Sequence, residues 1–143
     1  MLKRQTDRAD YLRNIPLFEG LSKKDLTALA RAAEQIDLTA GETIVAQGDT
    51  SQSAASVLVD GTATVRRNDR KVAELGPGDV IGELSLLIDE PRNATVVATS
   101  DGTALEIHRR HFTALVDQSP AMARRVMAQL ADRLSKADRK LYG

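Results

Sequence analysis

Apolar residues recur at helical spacing near both ends of the chain and at strand-like spacing between them. Near the start, Tyr11, Leu12 and Ile15 make a short helical face. Pro16 ends it, because a proline pushes the residue before it out of the helical region. Ser22-Lys23-Lys24-Asp25 has the form of a capping box, with Leu21 and Leu26 placed as a hydrophobic staple, and Leu26, Leu29, Ala30 and Ala33 continue one helical face. From Ile36 to Ile107 short β-prone runs alternate with turn signals at Ala40-Gly41, Gly48-Asp49, Asp60-Gly61, Asn68-Asp69, Gly76-Pro77-Gly78-Asp79 and Asp101-Gly102. Asp60-Gly61, set between Val57-Leu58-Val59 and Thr62-Ala63-Thr64-Val65, predicts a hairpin. So many short strands predict a sandwich or a barrel, with a jelly roll among the options. Gly82 to Leu87 is rich in leucine and poor in β-branched residues, which predicts a single helical turn inside the β region.

The C-terminal pattern is helical again. Phe112, Leu115 and Val116 share a face, and Ser119-Pro120 supplies an N-cap followed by proline at the first helical position. The last helix carries Met122, Val126, Leu130, Leu134, Ala137 and Leu141 as one apolar stripe, and Asp132 can pair with Lys136 one turn on. The length of 143 residues predicts one folded domain, residues 10–143, behind a flexible N-terminal tail, residues 1–9.

Composition narrows the function classes. The formal net charge is +0, which argues against non-specific binding to nucleic acid or membrane, since both draw on excess positive charge. The absence of cysteine excludes disulfides, a thiol nucleophile and a zinc–thiolate site. No apolar run is long enough to span a bilayer, and Met1 to Arg8 lacks the apolar core of a signal peptide, so a cytoplasmic location is expected. His108 and His111 flank Arg109-Arg110 and have no third ligand near them in the sequence, so no metal is expected. With no metal site and no evident nucleophile, catalysis is not expected either.

The chemistry concentrates between Ile81 and Val96. Gly82-Glu83-Leu84-Ser85-Leu86-Leu87 is followed by the spacer Ile88-Asp89-Glu90 and then by Pro91-Arg92-Asn93-Ala94-Thr95-Val96. One carboxylate and one guanidinium thus flank a short apolar segment, an arrangement suited to an anionic sugar phosphate. The planar fork of Arg92 matches two phosphate oxygens. A helical turn after Gly82 would add the unpaired amides of Leu84 and Ser85, and Gly82 lets a ligand approach the backbone. Glu83 can accept a hydrogen bond from a sugar hydroxyl, while Leu84, Leu86, Ala94 and Val96 can wall the ligand.

This segment closely resembles the phosphate-binding cassette of cyclic nucleotide-binding domains, the modules of the catabolite activator protein, protein kinase A regulatory subunits and cyclic-nucleotide-gated channels. Ile15 to Ser22, Ala40 to Asp49 and Leu75 to Glu83 extend the resemblance, which covers Tyr11 to Leu134. It implies a mainly β fold: an eight-stranded antiparallel β-roll (jelly roll) with N-terminal helices, a short cassette helix and C-terminal helices. It also implies that Glu83 binds the ribose hydroxyl, that Arg92 binds the phosphate, and that Gly82, Leu84 and Ser85 line the phosphate through their backbone. Asn93 and Ala94 complete the implied ligand-binding set. Relatives selective for cyclic GMP often carry threonine just after the arginine, so Asn93 points to cyclic AMP as the ligand, with cyclic GMP disfavoured.

Two departures from the family pattern bear on function. Small residues from Thr50 to Ser56 replace the usual aromatic strand start, and the sequence stops at Gly143, just after the last helix. The expected role is therefore a stand-alone sensor with no DNA-binding element within this chain. Its C-terminal helices would shift on binding and signal to an unidentified protein effector in trans, and the last helix offers a possible homodimer seam. The alternative is a degenerate fold that serves as a protein-interaction module without ligand.

Overall fold

The computed structural model describes residues 5–50, 54–83 and 91–142. Its contacts divide into two units, residues 1–30 with 114–143 and residues 31–113.

The helical unit is built from α1 (Gln5–Arg13), a 3-10 turn (Pro16–Phe18), α2 (Lys23–Ala32), α3 (Arg109–Gln118) and α4 (Pro120–Tyr142), with α2 and α3 running across the boundary between the units. The caps expected from sequence form. The Asp25 amide donates to the Ser22 hydroxyl at 3.1 Å, and the Met122 amide donates to the Ser119 hydroxyl at 3.2 Å. Leu21 and Leu26, the staple pair, are both buried. The 3-10 turn packs against α4, where Arg125 reaches Glu19 at 3.5 Å. α1 begins at Gln5, within the segment expected to be a tail.

The β unit corrects the expected β-roll. Its eight strands among the described residues are β1 (Glu34–Leu38), β2 (Thr43–Val45), β3 (Ala54–Asp60), β4 (Ala63–Arg67), β5 (Arg70–Leu75), β6 (Val80–Ile81), β7 (Thr95–Ala98) and β8 (Gly102–His108). They form two separate four-stranded antiparallel sheets, ordered β1-β8-β3-β6 and β2-β7-β4-β5, and neither closes into a barrel or jelly roll. The edges explain why. β6 has two residues and β2 has three, too few to carry a ladder onward. β5 presents Arg70 and Lys71, and its register slips where Val72 falls between the pairs Val65–Ala73 and Arg66–Lys71. Basic residues and a bulge are the usual means of blunting a sheet edge. The sheets are joined by side chains instead: Leu38, Leu58 and Ala104 of the first pack with Ala98 of the second, and Ile44 and Leu75 close over them.

The hairpin expected at Asp60-Gly61 is also corrected. β3 and β4 lie in different sheets, so the turn is a crossover. Gly61 has φ +96°, and a Cβ there would press on the Asp101 carbonyl, so the chain leaves the first sheet by a route only glycine permits. The hairpin that does form is β4–β5, through Asn68 and Asp69 at φ 53° and 63°. Two consecutive left-handed residues are what a primed two-residue turn requires.

Candidate functional site

β6 ends at Ile81 and the chain turns at Gly82, whose φ of +82° is a left-handed conformation. Glu83 and Arg92 follow on either side of the apolar segment, and both are buried, at 5% and 4% exposure. Burial of two opposite charges in one unit requires that each find partners, because an unpaired buried ion costs several kcal/mol (roughly). Arg92 finds two backbone carbonyls: Nη1 donates to Gly82 O and Nη2 to Ala54 O, each at 2.7 Å. Gly82 is glycine for a second reason here, since a Cβ at that position would overlap Arg92 Nη1.

The electrostatics of Arg92 divide cleanly. Burial pushes its ionisation down, Asp49 holds it up, Arg109 pushes it down, and Glu83 holds it up. A guanidinium remains charged through such shifts. The site is therefore a cation held by two backbone carbonyls, with the charges of Asp49 and Glu83 favouring its ionised form.

The backbone of the same arginine is clamped. Its amide donates to Asp49 O at 3.0 Å and its carbonyl accepts from the Gly48 amide at 2.8 Å. Next to that clamp, the Gln47 amide donates to the Thr95 hydroxyl at 2.9 Å. The Gln47 side chain meets Asn68 twice, donating to its Oδ1 at 2.9 Å and accepting from its backbone amide at 3.0 Å. One turn, Gln47 to Asp49, thus fixes the end of the cassette and the tip of the β4–β5 hairpin together. Arg67 completes the attachment by donating to Asn93 O at 3.0 Å.

Of the residues singled out by sequence, Gly82, Glu83 and Arg92 are brought together. Ala94 is buried beside β7. Asn93 is exposed and is held through its backbone carbonyl. Leu84 and Ser85, with the expected cassette helix from Glu83 to Leu87, lie outside the described residues except for Glu83. Asp49 and Gln47 were not foreseen as site residues. The Gly48-Asp49 turn signal marked the bend, but nothing local in the sequence shows that the bend holds Arg92.

Residues 35–119 match the family described as the cyclic nucleotide-binding domain. The chain is 33% identical over 135 residues to the cyclic AMP receptor protein of Thermus thermophilus, a match covering 91% of this chain and 62% of that protein. It is 35% identical over 118 residues to the cAMP-dependent protein kinase regulatory subunit of Colletotrichum orbiculare, covering 81% of this chain and 30% of that one. Among solved structures it is similar to the regulatory domain of Toxoplasma gondii PKA in co-crystal with cAMP. The TM-score there is 0.77 at 31% identity, with 86% of this chain and 48% of the other covered. The chain spans less than two thirds of the length of each of these relatives.

Proposed function

The chain belongs to the cyclic nucleotide-binding domain family, and from that membership we propose that it binds cyclic AMP at the site built on Glu83 and Arg92. The observation that carries this reading is the state of Arg92. Its guanidinium is buried and charged, and among the described residues two of its five N–H donors are spent, on Gly82 O and Ala54 O. A phosphodiester offers acceptors matched to the remaining face of the guanidinium fork and a further negative charge.

In this reading Arg92 binds the phosphate and Glu83 accepts from the ribose 2′-hydroxyl. Gly82, Leu84 and Ser85 present backbone to the phosphate, and Asn93 and Ala94 border the ligand. Cyclic AMP is favoured over cyclic GMP because Asn93 stands where guanine-selective relatives carry threonine, and because the relatives above are a cyclic AMP receptor and cAMP-dependent regulatory subunits. The role is binding and not catalysis. A cytoplasmic setting suits a cysteine-free chain, and no helix among the described residues is long and apolar enough to cross a membrane.

Binding repositions the C-terminal helices, which pass the signal to a protein effector. A physical route supports this. Ala54, which Arg92 holds, is the ladder partner of His108, and α3 begins at the next residue. α4 further offers Met127, Leu130 and Leu134 as exposed apolar residues, spaced by three and then four positions, which suits a homodimer seam.

Calorimetric titration with both cyclic nucleotides tests the proposal. Saturable binding of one nucleotide per chain, tighter for cyclic AMP, is expected, with weaker binding by Glu83→Gln. Absence of heat with either nucleotide would leave the fold as an interaction module without ligand.

A further inference from the structure

Strand pairing assembles a second polar constellation that does not involve the cassette. Ser56 of β3 stands opposite Glu106 of β8, and Glu106 stands opposite Glu34 of β1. Directly paired residues share a sheet face, so these three form one row across three strands. His108 lies two residues along β8 from Glu106 and therefore on the same face. Ligand atoms of Glu34, Glu106 and His108 all fall within 4.8 Å of one another.

This face borders a cavity of about 340 Å³ between the two sheets. Ser56, Glu106 and His108 line one side of it, with Ile44 and Val45 of β2 among the residues opposite. Its described lining includes none of Gly82, Glu83, Arg92, Asn93 or Ala94, and meets the cassette flank only at Ala54, whose carbonyl Arg92 holds.

Nothing in the described residues satisfies these groups. The side chains of Glu34, Glu106 and His108 make no hydrogen bond or ion pair among them. The Ser56 hydroxyl, in a residue only 6% exposed, lines the cavity and likewise has no partner among them. A hydroxyl that opens on a cavity is free to bond a ligand there, and like charges placed opposite each other across a ladder repel. The row therefore lacks a cation.

We propose that Glu34, Glu106 and His108 bind a divalent transition-metal ion of the zinc class at the mouth of this cavity, with the Ser56 hydroxyl bonded to the fourth, solvent-derived ligand. Carboxylate oxygen and imidazole nitrogen are both zinc ligands, and three of them leave a fourth tetrahedral position open. The nitrogen and the small number of ligands disfavour calcium, which takes six to eight oxygens (roughly). Glu106 and His108 are two residues apart on β8, but only the pairing of β1 with β8 brings Glu34 to them.

The test is titration of untagged, chelator-treated protein with Zn²⁺, followed by calorimetry and by thermal shift. One ion per chain is expected, with a rise in melting temperature. Glu106→Gln and His108→Ala should each weaken binding by at least roughly tenfold, since even outer-shell changes cost that much. His111→Ala should leave it unchanged. Ca²⁺ should give no comparable binding. No heat and no thermal shift with Zn²⁺, or equal affinity in wild type, Glu106→Gln and His108→Ala, would overturn the proposal. So would Ca²⁺ binding as tight as Zn²⁺. Glu106→Gln is close to isosteric, so a folding defect in His108→Ala does not remove the test.

Discussion

The cassette flank and the last helix were both legible in the sequence as functional elements, but the fold treats them differently. At the flank, Glu83 and Arg92 are both buried, and Arg92 is fixed by bonds to Gly82 O and Ala54 O. Along α4, the single stripe expected from periodicity divides. Met122 and Val126 are buried, whereas Leu130 and Leu134 are exposed, at 40% and 72%. The cassette motif names the charged residues that are buried, although the partners that fix Arg92 include Ala54 and Asp49, far away in sequence. A periodic stripe only shows which face is apolar, and how far along the helix that face is covered depends on residues elsewhere.

That contrast orders the expected effects of substitution. The largest is at the flank. Arg92→Ala removes the cation, strands the carbonyls of Gly82 and Ala54, and leaves Glu83 buried near one charge fewer. Truncating one partner of a buried charge pair typically costs ~2–5 kcal/mol in binding, or about 30-fold to several-thousand-fold in Kd. Gly82→Ala should come next. It sets an L residue at φ +82° and drives a Cβ into Arg92 Nη1. The backbone conformation alone costs about 1–2 kcal/mol, and overpacking adds about 1–3 kcal/mol. Chemical denaturation should show this loss, and calorimetry should show binding impaired in parallel because the arginine is displaced.

Glu83→Gln should have a smaller effect. It keeps the shape and loses the charge, so the hydrogen bond to the ribose weakens by about 1.5–3 kcal/mol at most. The discriminating readout is a comparison with the 2′-deoxy nucleotide, which the variant should bind nearly as well as the wild type does. The smallest stability effect belongs to α4. Leu134→Glu should change unfolding free energy by less than about 0.5 kcal/mol, because the side chain is already in water. The same substitution should convert dimer to monomer in sedimentation if α4 forms the seam. A large loss of stability from it would show that the exposed half of the stripe is covered after all, and would erase the contrast with the flank.

What could be foreseen follows the same division between near and far. Ser22 and Ser119 cap their helices as written, because capping depends on residues three positions away. Asp132 pairs with Lys136 at 3.0 Å for the same reason. The strands were visible as elements, but their partners were not. Asp60-Gly61 carries the residues of a hairpin and makes a crossover, since the choice between the two is settled by pairing of β3 with β8 and of β4 with β7. The closed roll failed at edges whose shortness shows only once the ladders are drawn. At the site, Glu83 and Arg92 could be named from sequence because they sit in one motif. Asp49 could not, because its contact with Arg92 spans the whole of β3 to β6. The Glu34–Glu106–His108 row is the extreme case, since two of its members lie at opposite ends of the β unit.

In the proposed function, the buried guanidinium of Arg92 meets a cyclic nucleotide phosphate. Paired calorimetric titrations of the wild type and Arg92→Ala with cyclic AMP test it most directly. One saturable site is expected in the wild type and a loss of at least about 30-fold in the variant, with the variant still folded by circular dichroism. Equal affinity in the two proteins, or no binding by the wild type, would contradict it.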